Sequence, residues 1–209
     1  EKLLGNWVCR SEDGGITWSE PIDSIVTAPH GPALLSDGSL MYVGRNRKVG
    51  DPGLPLPPDD QLLAAAASMD HGKSWVITGY IPVPDHVTPG AEDFHEPHVV
   101  ENPDGSLVAM FRFHGTPGKY HLWQSESSDR GRTWRPVHQT EIFGYPPHLL
   151  RLSNNWLVVS YGVRDRDPKG EKACISRDGG KTWDIGNEIL LSEGPNSDLG
   201  YPASVELDD

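Results

Sequence analysis

Ser176-Arg177-Asp178-Gly179-Gly180-Lys181-Thr182-Trp183 is the stretch of sequence that determines the fold of this chain. The pattern S-x-D-x-G-x-[ST]-W occurs four times, with starts at Ser11, Ser68, Ser127 and Ser176, which lie 57, 59 and 49 residues apart. Each copy has the composition of a tight turn: the Asp carboxylate accepts backbone N–H groups, glycine supplies positive φ, and the hydroxyls tie the two ends together. The Trp then packs the turn onto its sheet. Repetition of such a unit is typical of propellers and other repeat proteins.

A second motif alternates with the first and has the form strand, turn, strand. It occupies Gly31–Val43 and Glu96–Met110, returns in a third version at Pro147–Val159, and begins again at Tyr201–Asp209. An Asp-Gly pair between apolar runs is a strong hairpin signal. Each repeat is therefore predicted to hold four strands, A to D. The Asp-Gly turn joins A to B and the S-x-D-x-G-x-[ST]-W turn joins C to D.

Four antiparallel strands in every repeat predict an all-β propeller of four-stranded blades. The predicted units are a half blade at 1–28, whole blades at 29–84, 93–143 and 144–191, and the first strand of another blade at 200–209. Propellers have about 4–8 blades, so we expect this chain to be a fragment of about four blades from a longer propeller. A four-bladed ring closed by strand exchange is the alternative, and a β-sandwich is less favoured because it would not repeat one turn four times.

Composition excludes several classes of function. The chain has 209 residues, a net charge of −12 and no basic stripe, which argues against nucleic-acid binding. No apolar run is long enough to predict a membrane span. The 23 glycines and 19 prolines suit many short strands and turns. Cys9 and Cys174 are predicted to be buried free thiols, which leaves the cellular compartment open.

Polar and ionisable residues gather at one predicted rim of the propeller. Successive strands alternate in direction, so the starts of the A strands and the ends of the B strands share a face and surround the central axis. The residues predicted there are His30, Arg45, Arg47, His95, Glu96, Arg112, His114, Tyr145, Tyr161, Arg164 and Tyr201. Their convergence predicts a functional site on the axis.

The four turns resemble the Asp boxes, or BNR repeats, of the sialidase superfamily, whose propeller has six blades. Glu96 opens a stretch similar to the family's E-x-x-V-V-E-x-x-D-G-x-L, and Arg112 follows 16 residues later at the end of strand B. Arg164 ends strand B of the next blade, and Tyr201 opens the strand A that follows. This order covers about the last 115 residues of the chain.

The resemblance implies an enzyme, an exo-α-sialidase that cleaves terminal sialic acid with retention. Tyr201 would be the nucleophile, Glu96 its base, and Arg112 and Arg164 a clamp on the substrate carboxylate. His30, His95 and His114 would line the substrate pocket. The resemblance also implies a glycan or sialoglycoconjugate substrate, no cofactor, no metal, and a secreted or periplasmic location.

The chain departs from the family pattern at its first arginine. His30-Gly31-Pro32 stands where the family has R-I-P, so that Arg and the catalytic Asp are expected in a preceding part of the protein. The second choices for the acid are Asp51, Asp59 and Asp60.

Two other functions remain open from the sequence. One is a propeller glycosidase or polysaccharide lyase that uses His95 or His114 together with a tyrosine. The other is a propeller that binds carbohydrate without catalysis. His98 and His148 lie further along their A strands and are predicted to be core histidines, and no tight ligand spacing supports a metal site.

Overall fold

The computed structural model describes residues 6–46, 57–88 and 90–208. Within these ranges the regular structure consists of β-strands and three short 3₁₀ turns, at Asp59–Gln61, Ala91–Asp93 and Ile185–Asn187. No helix in the described part of the chain is long and apolar enough to cross a membrane.

The strands form three four-stranded antiparallel sheets preceded by a two-stranded one. The small sheet comprises β1 (Trp7–Val8) and β2 (Ile22–Asp23). The first full sheet comprises β3 (Ala33–Leu34), β4 (Leu40–Arg45), β5 (Leu63–Ser68) and β6 (Val76–Tyr80). The second comprises β7 (Phe94–Glu101), β8 (Leu107–Phe113), β9 (His121–Ser127) and β10 (His138–Phe143). The third comprises β11 (His148–Arg151), β12 (Leu157–Val163), β13 (Gly170–Ser176) and β14 (Ile189–Glu193).

Strand order within each full sheet follows the chain, with every neighbouring pair antiparallel. That meander is a propeller blade, and the all-β propeller prediction is confirmed. In β5 the run from Leu63 to Ala67 is buried on both faces. A strand with apolar neighbours above and below is the expected result of stacking blades face to face.

The Asp boxes are local hydrogen-bond networks. Asp129 Oδ1 accepts the backbone N–H groups of Thr133 at 2.8 Å and Arg132 at 3.1 Å, and Oδ2 accepts the Thr133 hydroxyl at 2.6 Å. These hydrogen bonds lower the pKa of Asp129 to about 2, and the bond from the Thr133 hydroxyl has the largest effect. Trp134 at the end of this box is 7% exposed, whereas Trp18 at the end of the first box is 63% exposed. The box therefore folds its own turn, and a neighbouring blade buries its Trp.

Neighbouring blades are joined by a glutamate carboxylate that accepts two hydrogen bonds from a turn of the preceding blade, a contact that we call a clip. Glu101 at the end of β7 accepts the backbone N–H of Ser36 at 2.7 Å and its hydroxyl at 3.0 Å, so it holds a turn of the preceding blade. Glu206 accepts the same two groups of Ser153 at 2.7 and 2.9 Å. Residues 201–206 therefore dock on the third blade as β7 docks on the first.

Two sequence predictions need correction. No strand is present at the predicted position 200–209 within the part described, which ends at 208. A strand is defined by ladder hydrogen bonds, and this segment is anchored by side chains instead. Cys9 is exposed rather than buried, because among the described residues it adjoins a sheet of two strands, whereas Cys174 lies in a four-stranded blade and is fully buried; both thiols are free.

Candidate active site

The centre of the site is a contact between residues 105 positions apart in the chain. The Tyr201 hydroxyl donates a hydrogen bond to Glu96 Oε1 at 2.6 Å. Glu96 has φ of +49°, and the pairing of β7 with β8 shifts register between His95 and His98. Such a β-bulge redirects a side chain, and here it takes Glu96 out of the regular ladder.

Arg112, at the end of β8, holds the same carboxylate. Its Nη1 donates to Glu96 Oε2 at 2.9 Å and to Oε1 at 3.2 Å, and its Nε donates to His114 Nε2 at 2.5 Å. Among the described residues, Nη2 of Arg112 has no hydrogen-bond partner. The guanidinium is thus fixed on one edge and can accept an anion on the other.

Tyr201 keeps its proton at rest and has the Glu96 carboxylate in direct contact as a possible acceptor. The hydrogen bond to the Glu96 carboxylate raises the pKa of Tyr201, with burial and the charge of Glu96 acting in the same direction. The charges of Arg112 and Arg164 oppose that shift. Tyr201 is 50% exposed, so a substrate can reach its hydroxyl. A hydroxyl with a carboxylate base in direct contact is the arrangement of an activated nucleophile.

Arg164, the second predicted clamp residue, lies beside the chain that leads to Tyr201. Its Nη2 donates to the carbonyl oxygens of Leu199 and Gly200, at 2.5 and 2.6 Å, and its Nη1 to that of Ser197 at 3.3 Å. No hydrogen bond joins Arg164 to Glu96 or to the Tyr201 hydroxyl within the described residues. The structure therefore brings Arg112, Glu96 and Tyr201 into one group and gives Arg164 other partners.

Tyr145 lies between the two arginines. Its ring centroid is 4.2 Å from the Arg112 guanidinium carbon and 5.7 Å from that of Arg164. Its hydroxyl donates to Asp165 at 2.6 Å, and burial, followed by that bond, raises the pKa of Tyr145 to about 12. The sequence analysis placed Tyr145 on the rim without a role. The available signal was an aromatic residue at an A-strand start, located in the sequence between Arg112 and Arg164, which end strand B in two adjacent blades.

His95 and His114 form a neutral pair beside Arg112. Their ring centroids are 5.3 Å apart, and Arg45 Nη1 donates to His95 Nδ1 at 3.2 Å. Burial, then the charge of Arg45, lowers the pKa of His95 to about 4, and burial followed by the charge of Arg112 lowers that of His114. Each ring accepts a hydrogen bond from an arginine and remains uncharged near neutral pH.

A second histidine group lies on the axis below Tyr201. His30 has its ring centroid 5.4 Å from that of His98, 5.2 Å from that of His148 and 6.3 Å from that of Tyr201. His98 Nδ1 accepts the N–H of Leu149 at 2.9 Å and His148 Nδ1 that of Ser204 at 3.3 Å. These two histidines therefore hold main chain in place. His98 is buried, as predicted for a core histidine, whereas His148 is half-buried.

The hydrogen bonds of this axial group bear on metal binding. Because Nδ1 accepts in His98 and His148, the neutral rings carry their proton on Nε2, which then has no lone pair for a metal. Burial lowers the pKa of His98 to about 3 and that of His148 to about 4, so both stay neutral. No group of three His, Cys, Asp or Glu side chains suited to a metal is found in the described portion.

Two candidate acids belong to the 3₁₀ turns that precede β5 and β7. The 3₁₀ turn containing Asp60 packs against the 3₁₀ turn that ends at Asp93, three residues before Glu96. Asp60 is exposed. Asp93, which the sequence analysis did not select, has a buried Oδ2 without a partner among the described residues. Arg47, Asp51 and the side chain of Asp59 lie outside the residues that the structure describes.

Solved structures with the same fold include several propellers. A protein of unknown function from Dyadobacter fermentans is 26% identical with a TM-score of 0.71, over 95% of this chain and 56% of that one. The intramolecular trans-sialidase from Ruminococcus gnavus is 20% identical with a TM-score of 0.59, over 89% and 40% of the two chains. An α-L-arabinofuranosidase from Fusarium graminearum is 18% identical with a TM-score of 0.56, over 83% and 50%.

The chain thus spans between two fifths and three fifths of the length of these three structures. A search of curated proteins finds no match. The family comparison covers almost the whole sequence, from residue 3 to residue 209. The chain belongs to the family of the BNR repeat-like domain.

Proposed function

We propose that this protein is a retaining glycoside hydrolase of the exo-α-sialidase type, which removes terminal sialic acid from a glycoconjugate. The proposal rests on the 2.6 Å hydrogen bond from the Tyr201 hydroxyl to the Glu96 carboxylate, which also accepts a hydrogen bond from Arg112. Propellers with this fold include a trans-sialidase and an α-L-arabinofuranosidase, both of which act on glycosidic bonds, so the fold accommodates such chemistry.

Tyr201 and Glu96 divide the first chemical step between them. As Tyr201 Oη bonds to the anomeric carbon, its proton passes to Glu96 and the bond from that carbon to the aglycone oxygen breaks. The aglycone oxygen takes a proton from an acid on the rim, for which Asp60 and Asp93 are the described candidates. Water then attacks the anomeric carbon and gives its proton to that acid, while Glu96 returns a proton to the departing Tyr201 oxygen. Two displacements retain the anomeric configuration.

The charge of the substrate explains why a tyrosine suits this role. The anomeric carbon of a sialic acid already bears a carboxylate, which would repel a second carboxylate acting as nucleophile. A phenol is neutral until its proton moves to a base. Nη2 of Arg112 is directed to no partner in the described part of the chain and is the natural ligand for the substrate carboxylate.

The test is an assay of the full-length protein with an α-linked sialoside that releases a fluorescent aglycone. We expect turnover that a dehydrated sialic acid analogue inhibits, and we expect Tyr201→Phe to abolish it while the analogue still binds. Tyr80→Phe is the matched control, because Tyr80 lies in β6 and is 38% exposed. A fluorinated sialosyl donor should lose its anomeric leaving group and add the mass of the fluorinated sialosyl residue to the peptide that contains Tyr201. Full activity of Tyr201→Phe would contradict the proposal.

A second candidate function is favoured by one observation. His30, rather than an arginine, lies 6.3 Å from the Tyr201 ring, and burial lowers its pKa, so it brings no positive charge to the site. With fewer cations, the pocket would suit a neutral sugar, cleaved by a glycosidase that uses His95 or His114. A lyase that uses these residues would act on an anionic uronic sugar, whose carboxylate would depend on Arg112 alone. Turnover of arabinosides, galactosides or a polyuronate, without turnover of sialosides, would favour this candidate. Glycan binding with no turnover at all would favour a non-catalytic propeller.

A further inference from the structure

The nucleophile of the proposed reaction is carried by a segment without regular structure. Residues 194–208 form no strand, and most of them from 195 to 201 are exposed. A reacting group displaced by about 1 Å can lose on the order of 10²-fold in rate. Some part of the folded blades must therefore fix the main chain next to Tyr201.

Arg164 provides that attachment. It follows directly after β12, whose final residues are buried. Its Nε donates to the carbonyl oxygen of Tyr145 at 3.3 Å, which fixes the stem of the side chain. Its two terminal nitrogens then donate to the carbonyls of Ser197, Leu199 and Gly200, three of the four residues that precede Tyr201.

We propose that Arg164 is a positioning residue that clasps the segment carrying Tyr201, and that it is not a ligand of the substrate carboxylate. The inference rests on the proposed function, since it concerns the nucleophile of that reaction. All three nitrogens of Arg164 donate to main-chain carbonyl oxygens. A substrate carboxylate would have to displace these carbonyls, whereas Arg112 presents Nη2 without a partner among the described residues.

Among the described residues, the other main-chain anchors of the segment lie after Tyr201 or several residues before it. The N–H of Ser204 donates to His148, and Glu206 accepts two bonds from Ser153. These contacts fix the chain after the nucleophile. Before it, Gly194 N–H donates to the Lys169 carbonyl at 3.0 Å, seven residues away from Tyr201. Arg164 therefore holds residues 197–200, to which the other anchors do not bind. Loss of its guanidinium should free these residues selectively.

The experiment compares Arg164→Gln with Arg166→Gln in the full-length protein. Arg166 lies in the same loop and loses the same charge, but its guanidinium carbon lies 4.2 Å over the Phe143 ring, away from Tyr201. Amide hydrogen exchange of residues 197–201, measured without ligand, is the first readout. We expect Arg164→Gln to raise that exchange at least about tenfold over the control. The dissociation constant of the dehydrated sialic acid analogue should stay within about threefold, while kcat falls on the order of 10²-fold.

The outcomes separate this proposal from the proposed function. Unchanged exchange at 197–201 in Arg164→Gln overturns the clasp, and so does a loss of analogue binding that exceeds the loss in kcat. A wild-type protein that neither turns over sialosides nor binds the analogue refutes the sialidase, yet the exchange readout still decides whether Arg164 holds the segment. Arg164→Lys is the second variant if the Gln variant unfolds. It keeps the charge but cannot reach four carbonyls, so it should also raise the exchange.

Discussion

Replacing Glu96 by Gln should lower the pKa of Tyr201. In the wild-type protein the carboxylate of Glu96 accepts the phenol proton at 2.6 Å, and this contact is the main reason why the pKa of Tyr201 lies above its ordinary value. An amide oxygen is a weaker acceptor and carries no charge. Arg112, which Glu96 now neutralises at 2.9 Å, would remain and favour the phenolate. Both consequences of the substitution act in the same direction.

The size of the effect follows from the charge separation. A phenolate on Tyr201 would lie roughly 4 Å from the carboxylate, where two unit charges repel by about 1 kcal/mol in water and about 4 kcal/mol at an effective dielectric of 20. Tyr201 is 50% exposed, so the lower part of this range applies. We therefore expect the pKa of Tyr201 to be lower in Glu96→Gln than in the wild-type protein, because the repulsion between the phenolate and the carboxylate is removed.

The assay is an alkaline titration followed by phenolate absorbance near 295 nm. The chain has six tyrosines, so the titration of a matched protein that also carries Tyr201→Phe is subtracted from each titration to isolate one group. Circular dichroism at each pH controls for unfolding. The difference between the two proteins should shrink in concentrated salt, because screening weakens exposed charge pairs. A pKa for Tyr201 that is unchanged or higher in Glu96→Gln would refute the assigned contact, whatever substrate the protein uses.

Two further predictions address the packing between blades and the contact of Tyr145 with Arg112. Gly79→Ala in β6 should destabilise the fold by about 1–3 kcal/mol in urea unfolding, because a Cβ there would lie 2.5 Å from the Arg132 carbonyl oxygen; Gly186→Ala meets nothing within 4 Å and should change little. Tyr145→Leu should reduce kcat/KM about 5- to 30-fold through loss of the cation–π contact with Arg112 at 4.2 Å. Tyr145→Phe keeps the ring, and its kcat/KM should stay within about threefold of the wild-type value. Equal losses in the two variants would argue against a role for the contact between the Tyr145 ring and Arg112.

The sequence predicted the blades well because their turns are local. An Asp box such as Ser127–Trp134 contains both partners of each hydrogen bond that shapes it, so eight residues suffice to recognise it. The predictions from the sequence were less accurate at positions whose burial depends on residues far away in the chain. Cys9 was expected to be buried from its own strand pattern, but burial depends on strands that its small sheet does not contain.

The candidate site likewise has features that could be predicted from the sequence and features that could not. Strand direction and order were sufficient to place Glu96, Arg112 and Tyr201 on one rim, where the structure joins them by hydrogen bonds. The partners of Arg164 were not predictable, because they are carbonyl oxygens of an irregular segment and every residue type has one. The bulge at Glu96 was equally hidden, since a positive φ at a Glu leaves no mark in the sequence.

The repeat itself explains how distant residues come to form one site. Glu96 and Tyr201 each precede a proline and lie five residues before a clip carboxylate, Glu101 or Glu206, so they occupy equivalent positions in two repeats. Both clips hold a turn of the preceding blade, which places Glu96 and Tyr201 at the same height on the axis. The blade between them contributes Tyr145 under the arginines. A change at one repeated position therefore gives a carboxylate in one blade and a phenol two blades later, without altering the framework that brings their oxygen atoms within 2.6 Å of each other.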